Sequence, residues 1–278
     1  MTDSNPDRMP DASDLPLVSV LFVTYKRFDL LERAVHSFRR NTSYPKLEVV
    51  IADDGSGPEI QDQIRKLPAD VFALSPVNQG LGPNNNNGLK HCTGKYILMI
   101  QDDWGCFGPP DYLLNAVRVM EANPTVGTIN FCGAPHPADL NQRLAGSENP
   151  PCYLTPKPYD NPQKEEFLYS DQPHLISREA QDFIGPYIYH RHIENSENDY
   201  CARWKAQTRY SAAMFPDYYR KVFLEFDTSR SFRNSRARYR VGVYLQPLKP
   251  LLPKAVIKVG KAVVLKSIYG LEKLRIVR

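Results

Sequence analysis

KYILMIQDDW, residues 95–104, is the stretch that decides the fold. Tyr96, Ile97, Leu98, Met99 and Ile100 form an unbroken apolar run of strand length. Such a run has no wet face and predicts a strand buried on both sides. It ends in two adjacent carboxylates, Asp102 and Asp103. Bringing two carboxylates together at the end of a buried strand is costly unless a cation lies beside them, and hard divalent ions prefer oxygen ligands. The pair points to Mg²⁺ or Mn²⁺ holding a diphosphate, with a pair of solvated loop acids as the alternative reading of these two residues alone.

The same pattern recurs upstream. LVSVLFVTY (17–25) is a second apolar run, followed at helical spacing by Phe28, Leu30, Leu31, Ala34, Val35 and Phe38. LEVVIADDGSG (47–57) is another buried-type strand ending in two carboxylates, Asp53 and Asp54, before a glycine turn. Ser56, Pro58 and Glu59 then predict a capped helix start. VFALS (71–75) is a short strand, and a glycine- and asparagine-rich stretch, NQGLGPNNNNGLKHCTG (78–94), leads into residue 95. Apolar strands alternating with helices predict a parallel sheet covered on both faces. Ligands of such sheets lie beyond the carboxyl ends of the strands. That rule gathers Thr24, Tyr25, Asp53, Asp54, Asp102 and Asp103 at one rim, although they come from three separate segments.

Downstream, the pattern predicts a helix over 112–122, a strand over 126–131 and a loop-like, Pro- and Asn-rich stretch over 133–163. A strand passing into a helix follows over 174–185, then a helix opening with acids at SENDYCARWKAQ (196–207). Four parts result: a flexible N-terminal segment (1–16), a first half of the domain (17–105), a second half (106–235) and a basic tail (236–278).

With 42% hydrophobic and 24% charged residues, the 278-residue chain falls among globular proteins rather than disordered or membrane-spanning ones. No apolar run approaches the roughly 20 residues that span a bilayer. The polar N-terminus predicts no secretory signal. Five scattered cysteines without a CxxC pair argue against a disulfide framework or a thiolate zinc site and suit a reducing cytosol.

Four motifs in order, VSVLFVTYKRFDLLERAVHSF (18–38), VVIADDGSG (49–57), NQGLGPNNNNGLKHCTGKYILMIQDDW (78–104) and SENDYCARW (196–204), resemble those of family 2 glycosyltransferases. The similarity is close up to Trp104 and sparser from there to Trp204. It implies the GT-A fold: α/β, with a mostly parallel central sheet flanked by helices. It also implies inverting transfer of a sugar from a nucleotide-diphosphate sugar, UDP-sugar by preference, to a glycan or lipid-linked acceptor. By the same resemblance Thr24 and Tyr25 contact base or ribose, and Asp54, with Asp53 beside it, reads the base. Asp103 ligates Mg²⁺ or Mn²⁺, and Asp102 faces the ribose or the metal's water shell. The asparagines at 84–87, Asn86 among them, offer amides to donor phosphate or sugar hydroxyls. Glu197 stands where the family places its general base, with Asp199 two residues on, and a helix N-terminus favours an ionised carboxylate. Capping of that helix is the alternative for either acid.

Three departures from the family pattern stand out. An arginine common near position 85 is missing, leaving Lys26, Arg27 or Lys90 to neutralise the diphosphate. Gln101 replaces the first acid of a three-acid run. In VFLEFDTSRS (222–231), where relatives offer a metal-binding histidine, Glu225 and Asp227 are the nearest candidates. These departures keep a second reading open, a catalytically silent binder of nucleotide-sugar or glycan. The absence of glycines directly after the first strand speaks against nucleotidyltransferases and dinucleotide-dependent oxidoreductases.

The tail concentrates charge, with eleven basic residues over 236–278 against Glu272 alone. KAVIKVGKAVV (254–264) places Lys254, Lys258 and Lys261 on one helical face, which predicts a basic amphipathic helix drawn to anionic lipid at the cytoplasmic side of a membrane. Packing on the domain is the alternative. No aromatic stacking module accompanies the charge, so nucleic acid is not an expected partner.

Overall fold

In the computed structural model, which describes residues 14–131, 142–148, 150–155, 171–189, 193–215 and 222–226, the apolar runs are the inner strands of one sheet. β1 (Val18–Thr24) lies between β2 (Leu47–Asp53) and β4 (Tyr96–Gln101), parallel to both. β3 (Val71–Leu74) continues the sheet beyond β2. On the other side β8 (His174–Ser177) runs antiparallel to β4, followed by β6 (Val126–Asn130), β9 (Ser211–Met214) and β7 (Tyr153–Leu154). Relative to β1, only β8 and β7 run backwards among the described strands, so the sheet is mainly parallel as expected. A separate pair joins β5 (Trp104–Cys106) to β10 (Phe223–Glu225).

Alternate residues of each inner strand serve opposite faces, which is why these strands are apolar throughout. Val20, Phe22, Val49, Ile51, Leu98 and Ile100 belong to one core, whereas Leu21, Val23, Val50, Ala52, Ile97 and Met99 belong to the other. α1 (Phe28–Asn41) covers the first face with Leu31, Ala34, Val35 and Phe38, and Phe38 meets Phe22 edge-to-face at 5.8 Å. α4 (Tyr112–Ala122) joins it there. Each large side chain so buried contributes about 1.5–3 kcal/mol. The second face is covered by α3 (Leu81–Leu89), α5 (Arg178–Ile184) and α6 (Ile193–Ala206). Tyr200 and Trp204 of α6 are fully buried in this second core.

The structure adds one helix and corrects three local expectations. The asparagine stretch is helical: α3 runs through LGPNNNNGL despite its poor helix formers. It lies so close to the sheet that a Cβ at Gly88 would overlap Leu21 and sit 3.0 Å from the Cβ of Ala52. α2 (Pro58–Ile64) has Gly57 at its N-cap and no side-chain cap, because the Ser56 hydroxyl donates to Asp53 instead. α6 begins at Ile193, three residues ahead of the SEND segment that the sequence pattern makes its opening. Within the expected loop, β7 pairs with β9 and Arg143 bridges to Tyr153. No described helix is long and apolar enough to cross a membrane. The basic tail lies outside the described residues.

Candidate active site

The register of the parallel strands brings three ends to one level. Thr24 is paired with Asp53 and Val23 with Gln101. The ladder then continues one residue further on each side, with Asp54 N–H donating to Thr24 O and Asp102 N–H to Val23 O, both at 3.1 Å. At these strand ends lies a cavity of about 990 Å³ whose wall includes Thr24, Tyr25, Arg27, Asp54, Asn84 and Tyr189.

Between β1 and α1 the chain turns sharply at Lys26, whose φ of 56° is in the left-handed region. That conformation costs a non-glycine residue roughly 1–2 kcal/mol. The turn is held by the Lys26 N–H donating to Ser56 Oγ at 2.7 Å, and it directs Arg27 back over the strand ends. Arg27 grips Asp102 with a two-pronged fork, Nε to Oδ2 at 3.2 Å and Nη2 to Oδ1, and reaches Asp103 Oδ2 through Nη1 at 3.2 Å. Thr24 Oγ1 also donates to Asp102 Oδ2, at 2.7 Å. Burial pushes the Asp102 carboxyl up to about 6, against the pull of Arg27 and Thr24 toward the ionised form, and neighbouring Asp103 adds to the rise. The cation that the adjacent acids require is here a guanidinium. Carboxylate oxygens are also the ligands that a hard divalent ion prefers, and Asp103, with Asp102 beside it, would be the residue to hold one. Among the described residues no group of three or more His, Cys, Asp or Glu is arranged to hold a metal.

Asp54 is buried and accepts three hydrogen bonds from one loop: Gln79 N–H at 2.7 Å, Gly80 N–H at 2.8 Å and Asn78 Nδ2 at 2.8 Å. Burial raises its carboxyl above the ordinary range, and the Gln79 and Gly80 N–H groups oppose that rise. Asp53, fully buried, is not in the cavity wall; it holds Ser56 and Gln61 and so fixes the turn after β2. Thr24, Tyr25 and Asp54 therefore meet in the cavity as anticipated, and Asp102 and Asp103 meet them through Arg27.

The asparagines of α3 work mainly on the protein itself. Asn87 Nδ2 donates to Ala73 O at 3.2 Å and Asn84 Nδ2 to Ala52 O at 3.3 Å. Asn86 binds the Tyr187 main chain in both directions, so the amide proposed for the donor is engaged there. Asn84 alone of the four is in the wall of this cavity.

Glu197 is the fifth residue of α6, past the free N–H groups of the first turn, so the dipole argument for its ionisation loses force. Its Oε1 accepts from Asp171 N–H at 2.9 Å. Asp199 is paired with Arg203 at 2.8 Å, one helical turn on. Neither caps the helix. His174, fully buried with Nδ1 2.8 Å from Gln172 O, is a structural histidine. Glu225 is opposite Trp104 across β10 and β5, next to the acid pair; Asp227, His190 and His192 lie outside the described residues. Sequence reasoning missed Tyr189 and the Asn78–Gly80 loop as wall residues; an exposed aromatic and a polar loop carry no periodic signal.

The sequence profile of glycosyl transferase family 2 matches residues 19–185, which hold β1, β2, β4 and the whole acid rim. The chain belongs to glycosyl transferase family 2. Glu197 lies beyond the matched segment.

Among curated relatives of this family 2 chain, a GalNAc(5)-diNAcBac-PP-undecaprenol beta-1,3-glucosyltransferase of Campylobacter jejuni is 31% identical over 94 residues, 32% of this chain and 30% of that protein. Validoxylamine A glucosyltransferase of Streptomyces hygroscopicus subsp. limoneus is 44% identical over 122 residues, 42% of this chain and 26% of that protein. The chain thus matches less than a third of the length of either relative. Among solved structures, the mannosyltransferase PcManGT of Pyrobaculum calidifontis, in complex with GDP-Man and Mn²⁺, superposes with a TM-score of 0.56 at 22% identity. That superposition covers 93% of this chain and 72% of PcManGT, which establishes the GT-A fold.

Proposed function

We propose that this family 2 chain transfers a glycosyl group, with inversion, from a nucleotide-diphosphate sugar to a glycan or lipid-linked acceptor, using Mg²⁺ or Mn²⁺. The observation that carries the reading is the convergence of Tyr25, Arg27, Asp54 and the Asp102–Asp103 pair at the carboxyl ends of three adjacent parallel strands. A uridine-type donor is the preferred reading. The GDP-Man in the Pyrobaculum structure makes guanosine its competitor.

The residues divide the work. The wall of Thr24, Tyr25 and Asp54 holds base and ribose, while Asp103 would ligate the ion and Asp102 would face the ribose or the ion's water shell. A divalent ion held there supplies charge neutralisation for the leaving group. Glu197 accepts the proton of the acceptor hydroxyl as that oxygen attacks the anomeric carbon. The bond from that carbon to the diphosphate oxygen breaks, and its electron pair leaves with the nucleoside diphosphate. The undecaprenol-linked glycan in the name of the Campylobacter relative and the basic tail support a lipid-linked acceptor at a membrane surface.

Donor turnover in Mn²⁺ tests the reading. Wild type should release nucleoside diphosphate from the matching donor. Glu197→Gln should keep donor affinity and lose at least about 100-fold in turnover, the usual worth of a general base. Donor binding without turnover in wild type, with any acceptor, would instead support the silent binder, which the engagement of both acids by Arg27 keeps in view.

A further inference from the structure

Arg27 pairs with the same two carboxylates, Asp102 and Asp103, that the reading above offers to a divalent ion. Both oxygens of Asp102 are engaged by the Arg27 fork, and Oδ2 also accepts from Thr24. Nη1 reaches across to Asp103. A metal arriving alone would face a guanidinium at ion-pair distance, with the two acids left to balance three positive charges. Each Arg27 contact to an acid is charge-assisted: Nε donates to Asp102 Oδ2, Nη1 donates to Asp103 Oδ2, and Nη2 is ion-paired with Asp102 Oδ1.

The surroundings give the guanidinium somewhere else to go. Its side chain is 40% exposed and in the cavity wall, whereas Asp102 is fully buried and fixed. The Arg27 main chain is pinned by the strained turn at Lys26 and by the start of α1, so the side chain can swivel while the backbone stays. A nucleotide-sugar diphosphate carries two negative charges, so a divalent ion entering with it changes the net charge of the cluster by nothing. An ion entering alone changes it by two.

We propose that Arg27 is a resident counter-cation that couples metal binding to donor binding: it holds Asp102 and Asp103 in the empty site and passes to the diphosphate when metal and donor arrive together. This rests on the metal-dependent reading above. Arg27 is then both a gate against free metal and a ligand of the diphosphate.

Mn²⁺ binding, followed by the loss of the free-ion paramagnetic resonance signal, tests this with and without UDP or GDP. Wild type should bind Mn²⁺ weakly alone and at least about tenfold more tightly with the matching nucleotide, tenfold being the scale of a hydrogen bond between charged groups. Arg27→Gln should bind Mn²⁺ alone about tenfold more tightly than wild type, and the nucleotide in Mn²⁺ about tenfold less tightly. Arg27→Lys keeps the charge without the fork, should fall between the two, and serves if the glutamine variant is unstable. Equal Mn²⁺ affinity of wild type and both variants without nucleotide would overturn the coupling while leaving metal dependence intact. Failure of wild type to bind Mn²⁺ even with UDP or GDP would overturn both.

Discussion

Asn86 holds the main chain of Tyr187 at both ends, donating from Nδ2 to the carbonyl at 2.8 Å and accepting from the N–H at 2.9 Å. One helix residue thereby fixes a segment a hundred positions away, which continues through Ile188 to Tyr189 in the cavity wall. Asn86→Ala leaves two main-chain groups without their partner. We expect a loss of about 1–3 kcal/mol, read as a melting temperature lower by roughly 2–10 °C. Nucleotide affinity should also weaken as Tyr189 loses its support. An unchanged melting temperature would show that the clamp carries no load.

Tyr189 is 62% exposed, yet its ring stands over Gly80, where an added Cβ would meet it at 3.7 Å. An exposed aromatic over this cavity is suited to stacking on a nucleotide base. Tyr189→Ala should weaken nucleotide binding about 3- to 10-fold, the scale of an aromatic contact of 0.5–1.5 kcal/mol, without lowering the melting temperature. Tyr189→Phe should restore affinity. Isothermal titration with UDP and GDP separates these outcomes.

The parallel core is legible in the sequence because its strands are apolar on both faces, a pattern that residues 96–100 display without interruption and residues 18–23 with Ser19 alone breaking it. α3 is not, since Gly82, Pro83, four asparagines and Gly88 all disfavour a helix locally. Its stability is tertiary: amide bonds to strand ends, and the close approach that Gly88 permits. The need for positive charge beside Asp102 and Asp103 is legible, but its identity is not. The fork of Arg27 depends on a turn at Lys26 that sequence spacing does not encode. Acids commonly open helices, which makes Glu197 look like part of a helix start, whereas α6 opens earlier, at Ile193.

Gly88→Ala tests the tertiary origin of α3. Alanine is the better helix former, by about 0.8–1 kcal/mol, so local propensity alone predicts stabilisation. The added methyl would overlap the fully buried Leu21, and such overpacking costs about 1–3 kcal/mol. We expect net destabilisation in chemical denaturation. A more stable variant would mean that the sheet yields.

His174 sets an acid limit on stability. Burial lowers its folded-state value from 6.5 to about 4, although its bond to the Gln172 carbonyl opposes the fall. The unfolded chain therefore takes up a proton that the folded chain refuses. Its stabilising contribution is present above pH 6.5 and is lost as pH falls from there toward 4, at up to about 1.4 kcal/mol per pH unit. His174→Gln should show a shallower decline over that window than wild type. Parallel declines would remove His174 as the cause.

The account turns on Asp102 and Asp103 serving a donor diphosphate through a cation, and calorimetric titration of UDP and GDP into wild type and Asp103→Asn, each with and without Mn²⁺, tests that most directly. Mn²⁺ should tighten binding of one nucleotide to wild type by at least about tenfold and leave Asp103→Asn nearly unchanged. Nucleotide binding of equal strength with and without Mn²⁺ in both proteins would contradict it.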